Sequence, residues 1–147
     1  MESQSYLIEI EKFFPDVHVY QQACPLWVPL VENNEYNSPG ADYFIKKDVD
    51  HLLKNSPEID AILLACTHYP LLSNKIKKYV PAGVKLISQG EIIASGLENY
   101  LLRHPEIDEK CGKNGHMQFF TTDSVADFDK HSSVFFGERV NSIHVDL

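Results

Sequence analysis

The chain has 147 residues, of which 44% are apolar and 23% are charged, and its formal net charge at pH 7 is −8. This length and composition are ordinary for one globular protein with a sizeable core. The acidic balance argues against nonspecific binding to nucleic acid or to an anionic membrane, because lysines and arginines are too few to neutralise phosphates. We predict neither partner.

The sequence also carries no sign of export. No stretch approaches the roughly 18 consecutive apolar residues of a membrane span, and the N-terminus has no basic and apolar signal pattern. The three cysteines, Cys24, Cys66 and Cys111, are odd in number and have no framework spacing. This argues against a disulfide scaffold and suits a reducing compartment, so we expect a cytoplasmic protein.

The first part of the chain predicts alternating helices and strands. Apolar residues recur at helical spacing in some segments and form short continuous runs in others. Pro15 ends the first helix, and Pro70 suits the first turn of the third, where no backbone donor is needed. The predicted helices are 5–14, 41–55 and 70–79, and the predicted strands are 17–23, 59–65 and 84–87, with a turn at 24–32 and a loop at 33–40.

The rest of the chain continues the same alternation. A helix over 91–103 ends at the dipeptide His104-Pro105, because the residue preceding a proline disfavours helical backbone angles. Strands at 117–122 and 142–147 flank a helix over 125–136. Alternating strands and helices predict an α/β fold of three layers with a mainly parallel sheet.

Two polar segments follow predicted strands. Glu32 comes after the strand at 17–23, and the run from Cys66 to His68 comes directly after the strand at 59–65. Open α/β sheets bind their ligands at the carboxyl ends of the strands. We therefore expect Glu32 and the Cys66 turn to lie at one edge of the sheet.

Cys66 lies where a buried strand gives way to a predicted helix. Free backbone N–H groups at a helix start favour negative charge, so a thiolate is stabilised there. His68, two residues on, adds a proton partner. Taken by itself, a Cys-x-His triplet fits a buried structural cysteine as well as a reactive one.

Three motifs identify a resemblance to a known family. They run from Gln22 to Glu32 (QACPLWVPLVE), from Cys66 to Leu72 (CTHYPLL) and from Phe119 to Asp123 (FFTTD). In this order they resemble the acidic segment, the second catalytic-cysteine motif and the C-terminal strand of glutamate racemase. The resemblance extends from about Ser3 to Leu147. The chain corresponds to the later part of the sequences of this family.

The resemblance implies two similar α/β domains with the active site in the cleft between them. Residues 1–92 would form the second domain, and residues 93–147 would return to the first. The family also has an Asp-Ser-Gly-type turn and a first catalytic cysteine in a Cys-Asn-Thr-type turn. No such residues occur from Met1 to Phe14. We therefore expect a truncated racemase that lacks the first cysteine.

The resemblance assigns catalytic roles to Cys66, His68 and Glu32. Cys66 would be the acid or base for one enantiomer of glutamate, and His68 would exchange a proton near the thiol and the substrate amine. Thr67 would hold a substrate carboxylate through its hydroxyl and backbone N–H. Glu32 would act indirectly by polarising the histidine, and a merely solvent-exposed Glu32 fits the sequence equally well.

Other polar residues predict no further chemistry. Cys24 and Cys111 fit packed or loop thiols, and Cys66 and His68 have no second Cys or His pair nearby, so we predict no metal and no cofactor. A solvated helix face explains the lysines of the segment 75–78. The remaining histidines have no metal-ligand spacing: His18, His51, His104, His116, His131 and His144.

The sequence therefore predicts an enzyme that interconverts L-glutamate and D-glutamate without a cofactor, for bacterial peptidoglycan synthesis. This chain would supply the second cysteine half-site and would be inactive alone. Two alternatives stay open. One is a non-catalytic α/β binding module or degenerate fragment, and the other is an aspartate racemase, which uses two cysteines on a shorter substrate.

Residues 93–147 would lack their host sheet under this interpretation. They should then expose apolar surface, which favours association with the missing N-terminal half or with a second copy of the chain. The apolar residues concerned are Ile93, Leu97, Leu101, Phe119, Phe120, Phe135 and Phe136.

Overall fold

A computed structural model describes residues 4–147 of the chain. They divide into two compact units, the first ending at Gln89 and the second running from Gly90 to Leu147. The division lies close to the boundary predicted between residues 92 and 93. The assignment of the two parts to the second and first domains of a racemase stays a prediction.

The first unit contains two strands and a set of mostly short helices. β1 (Ala61–Leu64) pairs with β2 (Lys85–Ser88) in parallel, with Ile62 opposite Leu86 and Leu64 opposite Ser88. The helices are α1 (Ser5–Phe13), α2 (Trp27–Glu32), α3 (Pro39–Leu53), a 3₁₀ helix (Tyr69–Leu72) and α4 (Ser73–Ile76), and the strands are β1 (Ala61–Leu64) and β2 (Lys85–Ser88). The predicted α/β class with parallel strands is confirmed.

The core of the first unit lies between one face of β1 and the helices. Apolar residues four apart, such as Ala41, Ile45 and Val49, place one stripe of α3 inward. On β1, Leu64 faces the core, whereas Leu63 is 40% exposed on the opposite face. The core cluster comprises Trp27, Val31, Ala41, Ile45, Val49, Leu64, Leu72 and Ile76.

The predicted strand at 17–23 is wrong. Within the described residues, no strand is present between α1 and α2, and Val17 and Tyr20 are exposed. A strand exists only where its backbone groups pair with a neighbour. Alternating apolar residues supply the side-chain pattern but no partner, and this segment has none in the described ladders.

Lys75 also differs from expectation, because it is buried rather than part of a solvated face. Only 8% of the residue is exposed. Its Nζ donates to the backbone oxygen of Ser38 at 3.2 Å and to the carboxylate of Asp42. The hydroxyl of Tyr79 donates to the other oxygen of Asp42 at 3.3 Å. This cluster ties α4 to the start of α3, whereas Lys77 and Lys78 are exposed as expected.

The second unit begins within α5 (Gln89–Arg103) and contains a smaller parallel pair. β3 (Phe119–Thr121) pairs with β4 (Ser142–His144) so that Phe119 lies opposite Ser142. The hydroxyl of Ser124 caps the helix between them by accepting from Asp127 N at 3.4 Å. The other elements are α6 (Pro105–Asp108), β3 (Phe119–Thr121), α7 (Val125–Phe136) and β4 (Ser142–His144).

Apolar side chains of the second unit are largely uncovered. Leu101 and Phe119 are half-buried, but the other residues expected to be exposed are so, with Ile93 at 62% and Leu97 at 57%. Across residues 4–147, no helix combines the length and the apolarity that crossing a membrane requires.

The Asp42 and Lys75 pair makes a prediction about stability. The hydrogen bond from Lys75 lowers the pKa of Asp42, so its contribution is present above the unfolded-state pKa and is lost as pH falls through the folded-state pKa. We expect Asp42→Asn to lower the urea midpoint at pH 7, because Lys75 keeps a buried charge without its counterion. The pH dependence between 2 and 7 should flatten.

Asp50→Asn is the matched control on the same helix. Asp50 pairs with Lys46 at 2.5 Å, but both side chains are exposed, and such pairs contribute only about 0.3–0.5 kcal/mol. Equal midpoint shifts in the two variants would contradict a special role for the buried pair.

Candidate active site

Cys66 lies in the turn that follows β1. The strand ends at Leu64, and the backbone N–H of Tyr69 donates to Cys66 O at 3.2 Å, which closes the turn. The thiol is half-buried. The strand therefore delivers this cysteine to the edge where ligands of α/β sheets bind.

The helix predicted at 70–79 is shorter and tighter than the sequence suggests. A four-residue 3₁₀ helix and the four-residue α4 take its place. A helix dipole grows from aligned peptide groups, so such short segments stabilise a thiolate only weakly. Any activation of Cys66 must come mainly from neighbouring side chains.

His68 is the polar neighbour of Cys66. Its Nδ1 lies 3.9 Å from Cys66 Sγ and 3.4 Å from Thr67 Oγ1. Its Nε2 lies 3.3 Å from Glu32 Oε1, with the imidazole side chain 24% exposed. One imidazole thus bridges a thiol and a carboxylate, which is the arrangement of a proton relay with an orienting acid.

Glu32 is the last residue of α2 and comes from a distant part of the sequence. Its side chain is 47% exposed but directed to His68. The structure thus brings Glu32, His68 and Cys66 together with the imidazole between the other two, and we call this arrangement the polar line. The strand expected to precede Glu32 is absent from the described residues. Their chemical roles stay predictions.

The carboxylate defines how the imidazole can be protonated. An ionised Glu32 only accepts hydrogen bonds, so the contact places a proton on His68 Nε2. In the neutral imidazole, the lone pair of Nδ1 then faces Cys66 and Thr67. This is the tautomer that can accept a proton from the thiol.

Tyr69, which the sequence analysis did not select, lies beneath this line. Its ring packs edge-on against Trp27, with 4.8 Å between ring centroids. Its hydroxyl donates to Cys24 O at 3.4 Å. The one signal in the sequence was its position directly after His68, within the motif that contains Cys66.

The half-buried Cys24 and the buried Asp48 form a second polar layer. Burial raises the pKa of Cys24 to about 12, and the negative charge of Asp48 adds to the effect. Burial also raises the pKa of Asp48, which the Trp27 N–H opposes. That N–H makes no hydrogen bond of normal geometry, so the carboxylate is only partly stabilised. Cys24 therefore remains a protonated thiol at neutral pH.

Other reactive groups lie apart from this arrangement. Cys111 is exposed on a turn of the second unit, where its Sγ contacts Ile107 O at 3.5 Å. Throughout the part of the chain that the structure describes, no three or more His, Cys, Asp or Glu side chains are grouped to hold a metal ion.

Comparison with known proteins finds glutamate racemases. The chain is 34% identical, over 99% of its length, to glutamate racemase 2 of Caldanaerobacter subterraneus, and covers 53% of that protein. A glutamate racemase isoform from Bacillus anthracis matches with a TM-score of 0.82 and 31% identity, over 97% of this chain and 52% of the other. No protein-family model matches.

A further solved structure, glutamate racemase from Francisella tularensis in complex with D-glutamate, matches with a TM-score of 0.79 and 25% identity, over 97% of this chain and 51% of the other. The chain thus spans about half the length of the curated relatives it matches. The resemblance to glutamate racemases predicted from the three motifs is confirmed.

The buried Asp48 makes a prediction about pH. Because burial raises its folded-state pKa, its contribution to stability is complete below the unfolded-state pKa and is lost as pH rises through the folded-state pKa. Asp48→Asn keeps the shape without the charge. We expect a higher urea midpoint than wild type at pH 7 and a smaller difference between pH 4 and pH 7.

The exposed Asp50→Asn variant again serves as the control, since it changes the same helix by the same chemistry. An Asp48→Asn variant whose pH profile matches that of wild type would show that Asp48 does not titrate in this range.

Proposed function

We propose that this chain supplies one half-site of a glutamate racemase, which interconverts L-glutamate and D-glutamate without a cofactor. The observation that carries the proposal is the line from Cys66 through His68 to Glu32, in a chain similar to glutamate racemases over its whole length. The same resemblance supports a cytoplasmic enzyme whose product enters peptidoglycan synthesis.

Inversion at the α-carbon needs two groups on opposite faces of the substrate. In one direction, the Cys66 thiolate takes the α-proton, an S–H bond forms, and the electron pair of the broken C–H bond stays on the substrate. A group on the other face then donates a proton to the carbanion. In the reverse direction, the Cys66 thiol is the donor.

His68 prepares the thiol for this step. At 3.9 Å from Cys66 Sγ, its Nδ1 accepts the thiol proton and leaves an imidazolium beside the thiolate. Glu32, 3.3 Å from Nε2, stabilises that positive charge. Glu32 therefore acts through His68 and makes no contact with the substrate.

Thr67 would bind an anionic group of the substrate. Its side chain is exposed beside the thiol turn, and its hydroxyl lies 3.4 Å from His68 Nδ1. A hydroxyl and a backbone N–H at this turn would hold a carboxylate next to Cys66. Glutamate is favoured over aspartate by the Francisella tularensis relative, whose structure contains D-glutamate.

The second base must come from outside the Cys66 turn. Cys24 is unsuited, because burial raises its pKa to about 12 and its Sγ is directed to Gln22 O at 3.7 Å. The two-cysteine mechanism thus requires the partner half, and we propose that residues 1–92 form the second domain and 93–147 part of the first. The exposed Ile93 and Leu97 support association with that half or with a second copy.

Thiol labelling tests the activated cysteine. We expect iodoacetamide at pH 7 to modify Cys66 about tenfold faster than Cys111, because the His68 imidazole, 3.9 Å from Cys66 Sγ, can accept the thiol proton. D-glutamate and L-glutamate should both slow the reaction. Mass spectrometry of the two cysteine peptides gives both rates in one sample. Equal rates without protection by either enantiomer would favour a non-catalytic module.

The contribution of Glu32 is tested in the same assay. Glu32→Gln removes the charge that holds the His68 tautomer, so we expect Cys66 labelling to slow by about three- to tenfold while Cys111 is unchanged. Glu35→Gln is the matched control, since Glu35 is exposed nearby. A similar slowing in both variants would point to general electrostatics.

Hydrogen exchange tests the half-site itself. Exchange of the α-hydrogen of D-glutamate and L-glutamate is followed in deuterated water, with this chain alone and mixed with a separately expressed N-terminal half. We expect exchange only in the mixture, and none when the chain carries Cys66→Ser. Exchange by the chain alone would overturn the proposal of a half-site. If the mixture also shows no exchange, the proposal of racemase activity is overturned.

A further inference from the structure

We propose that Tyr69 is the positioning residue that aligns Glu32 with His68, by fastening the start of α2 to the turn after β1. This inference deepens the proposed function and rests on it for its catalytic meaning. The geometry behind it is independent of turnover, because it concerns only how two separate segments of the chain are held together.

The contact between Glu32 and His68 is too weak to fix by itself the position of α2 relative to the turn after β1. Both side chains are partly exposed, and exposed ion pairs contribute about 0.2–1 kcal/mol. α2 has only six residues and no side-chain hydrogen bond at its cap, and isolated helices of this length are unstable. The position of α2, and with it that of Glu32, must therefore come from packing.

Tyr69 provides part of that packing, at the end of α2 opposite to Glu32, while Val31 of the same helix is buried in the core cluster. Its ring contacts Trp27, the first residue of α2, at 4.8 Å between centroids. Its hydroxyl donates to Cys24 O at 3.4 Å, and the same oxygen accepts from Trp27 N at 3.2 Å. The ring contact and the hydrogen bond restrict the distance of α2 from the turn after β1 and also its rotation relative to that turn.

Tyr69 also follows His68 directly in the chain. Holding the Tyr69 ring in place therefore restricts the backbone of the histidine turn, and Trp27 likewise belongs to the backbone of α2. Trp27 is 4% exposed and belongs to the core cluster, so the anchor is rigid. One aromatic pair thus couples the two backbones whose side chains meet in the site.

A double-mutant cycle tests this coupling through the labelling rate of Cys66, with Cys111 in the same chain as the internal standard. In the wild-type background, Glu32→Gln slows labelling. We expect Tyr69→Phe to reduce the slowing caused by Glu32→Gln by about two- to threefold, because residues in one hydrogen-bond network are energetically coupled. Tyr69→Leu, which removes the ring contact as well, should abolish it.

Tyr79→Phe is the matched control. It also removes a tyrosine hydrogen bond, the one to Asp42 at 3.3 Å, but leaves α2 untouched. We expect the full effect of Glu32→Gln in this background. If Tyr69→Phe likewise leaves the effect unchanged, the inference is overturned, even when the hydrogen-exchange experiment succeeds.

The His68 tautomer gives a second readout that a loss of stability alone would not change. Nitrogen-15 spectra of the imidazole should show the proton on Nε2 in wild type and in Tyr79→Phe. In folded Tyr69→Phe we expect the two tautomers to become more evenly populated. An unchanged tautomer in that variant would also contradict the positioning role, whatever its urea midpoint.

Discussion

The packing of α2 against the segment after β1 is the constraint on which the candidate site depends. Trp27 and Tyr69 meet edge-on at the centre of that contact, and the side chains that lie in line at the surface, Glu32 and His68, belong to the same two segments. Aromatic pairs of this kind contribute about 0.5–1.5 kcal/mol beyond the area they bury. The position of Glu32 relative to His68 at the surface therefore depends on the apolar packing of Trp27 against Tyr69. A change in that packing would change the distance between Glu32 and His68.

Two polar layers at different depths behave differently. At the surface, the side chains of His68 and Glu32 are partly exposed and keep access to water. Below them, burial holds Cys24 protonated and raises the pKa of Asp48. The two half-buried thiols of the first unit therefore differ in their surroundings. Desolvation raises the pKa of Cys24, whereas Cys66 has an imidazole nitrogen 3.9 Å away. These surroundings, rather than residue type, decide which cysteine is a candidate for proton transfer.

Each unit leaves apolar surface uncovered. The two-stranded sheet of the first unit buries Leu64 but exposes 40% of Leu63, although parallel sheets are ordinarily covered on both faces. In the second unit, Ile93 and Phe120 are more exposed than core residues of their type. These surfaces agree with the finding that the chain spans about half the length of its curated relatives, and they are the physical reason for expecting a partner surface.

The sequence by itself determined the local features: the helix over Val125–Phe136, the parallel α/β class, and the Cys66 and His68 turn after an apolar strand. These depend on capping residues, periodicity and neighbours in the chain. Tertiary structure decided the rest. Residues 17–23 have no strand partner in the described sheets, and Lys75 is buried against Asp42. The packing of Tyr69 on Trp27 brings Glu32 to His68. Pairing and burial depend on partners distant in the chain, and one sequence pattern fits several such partners until packing selects one.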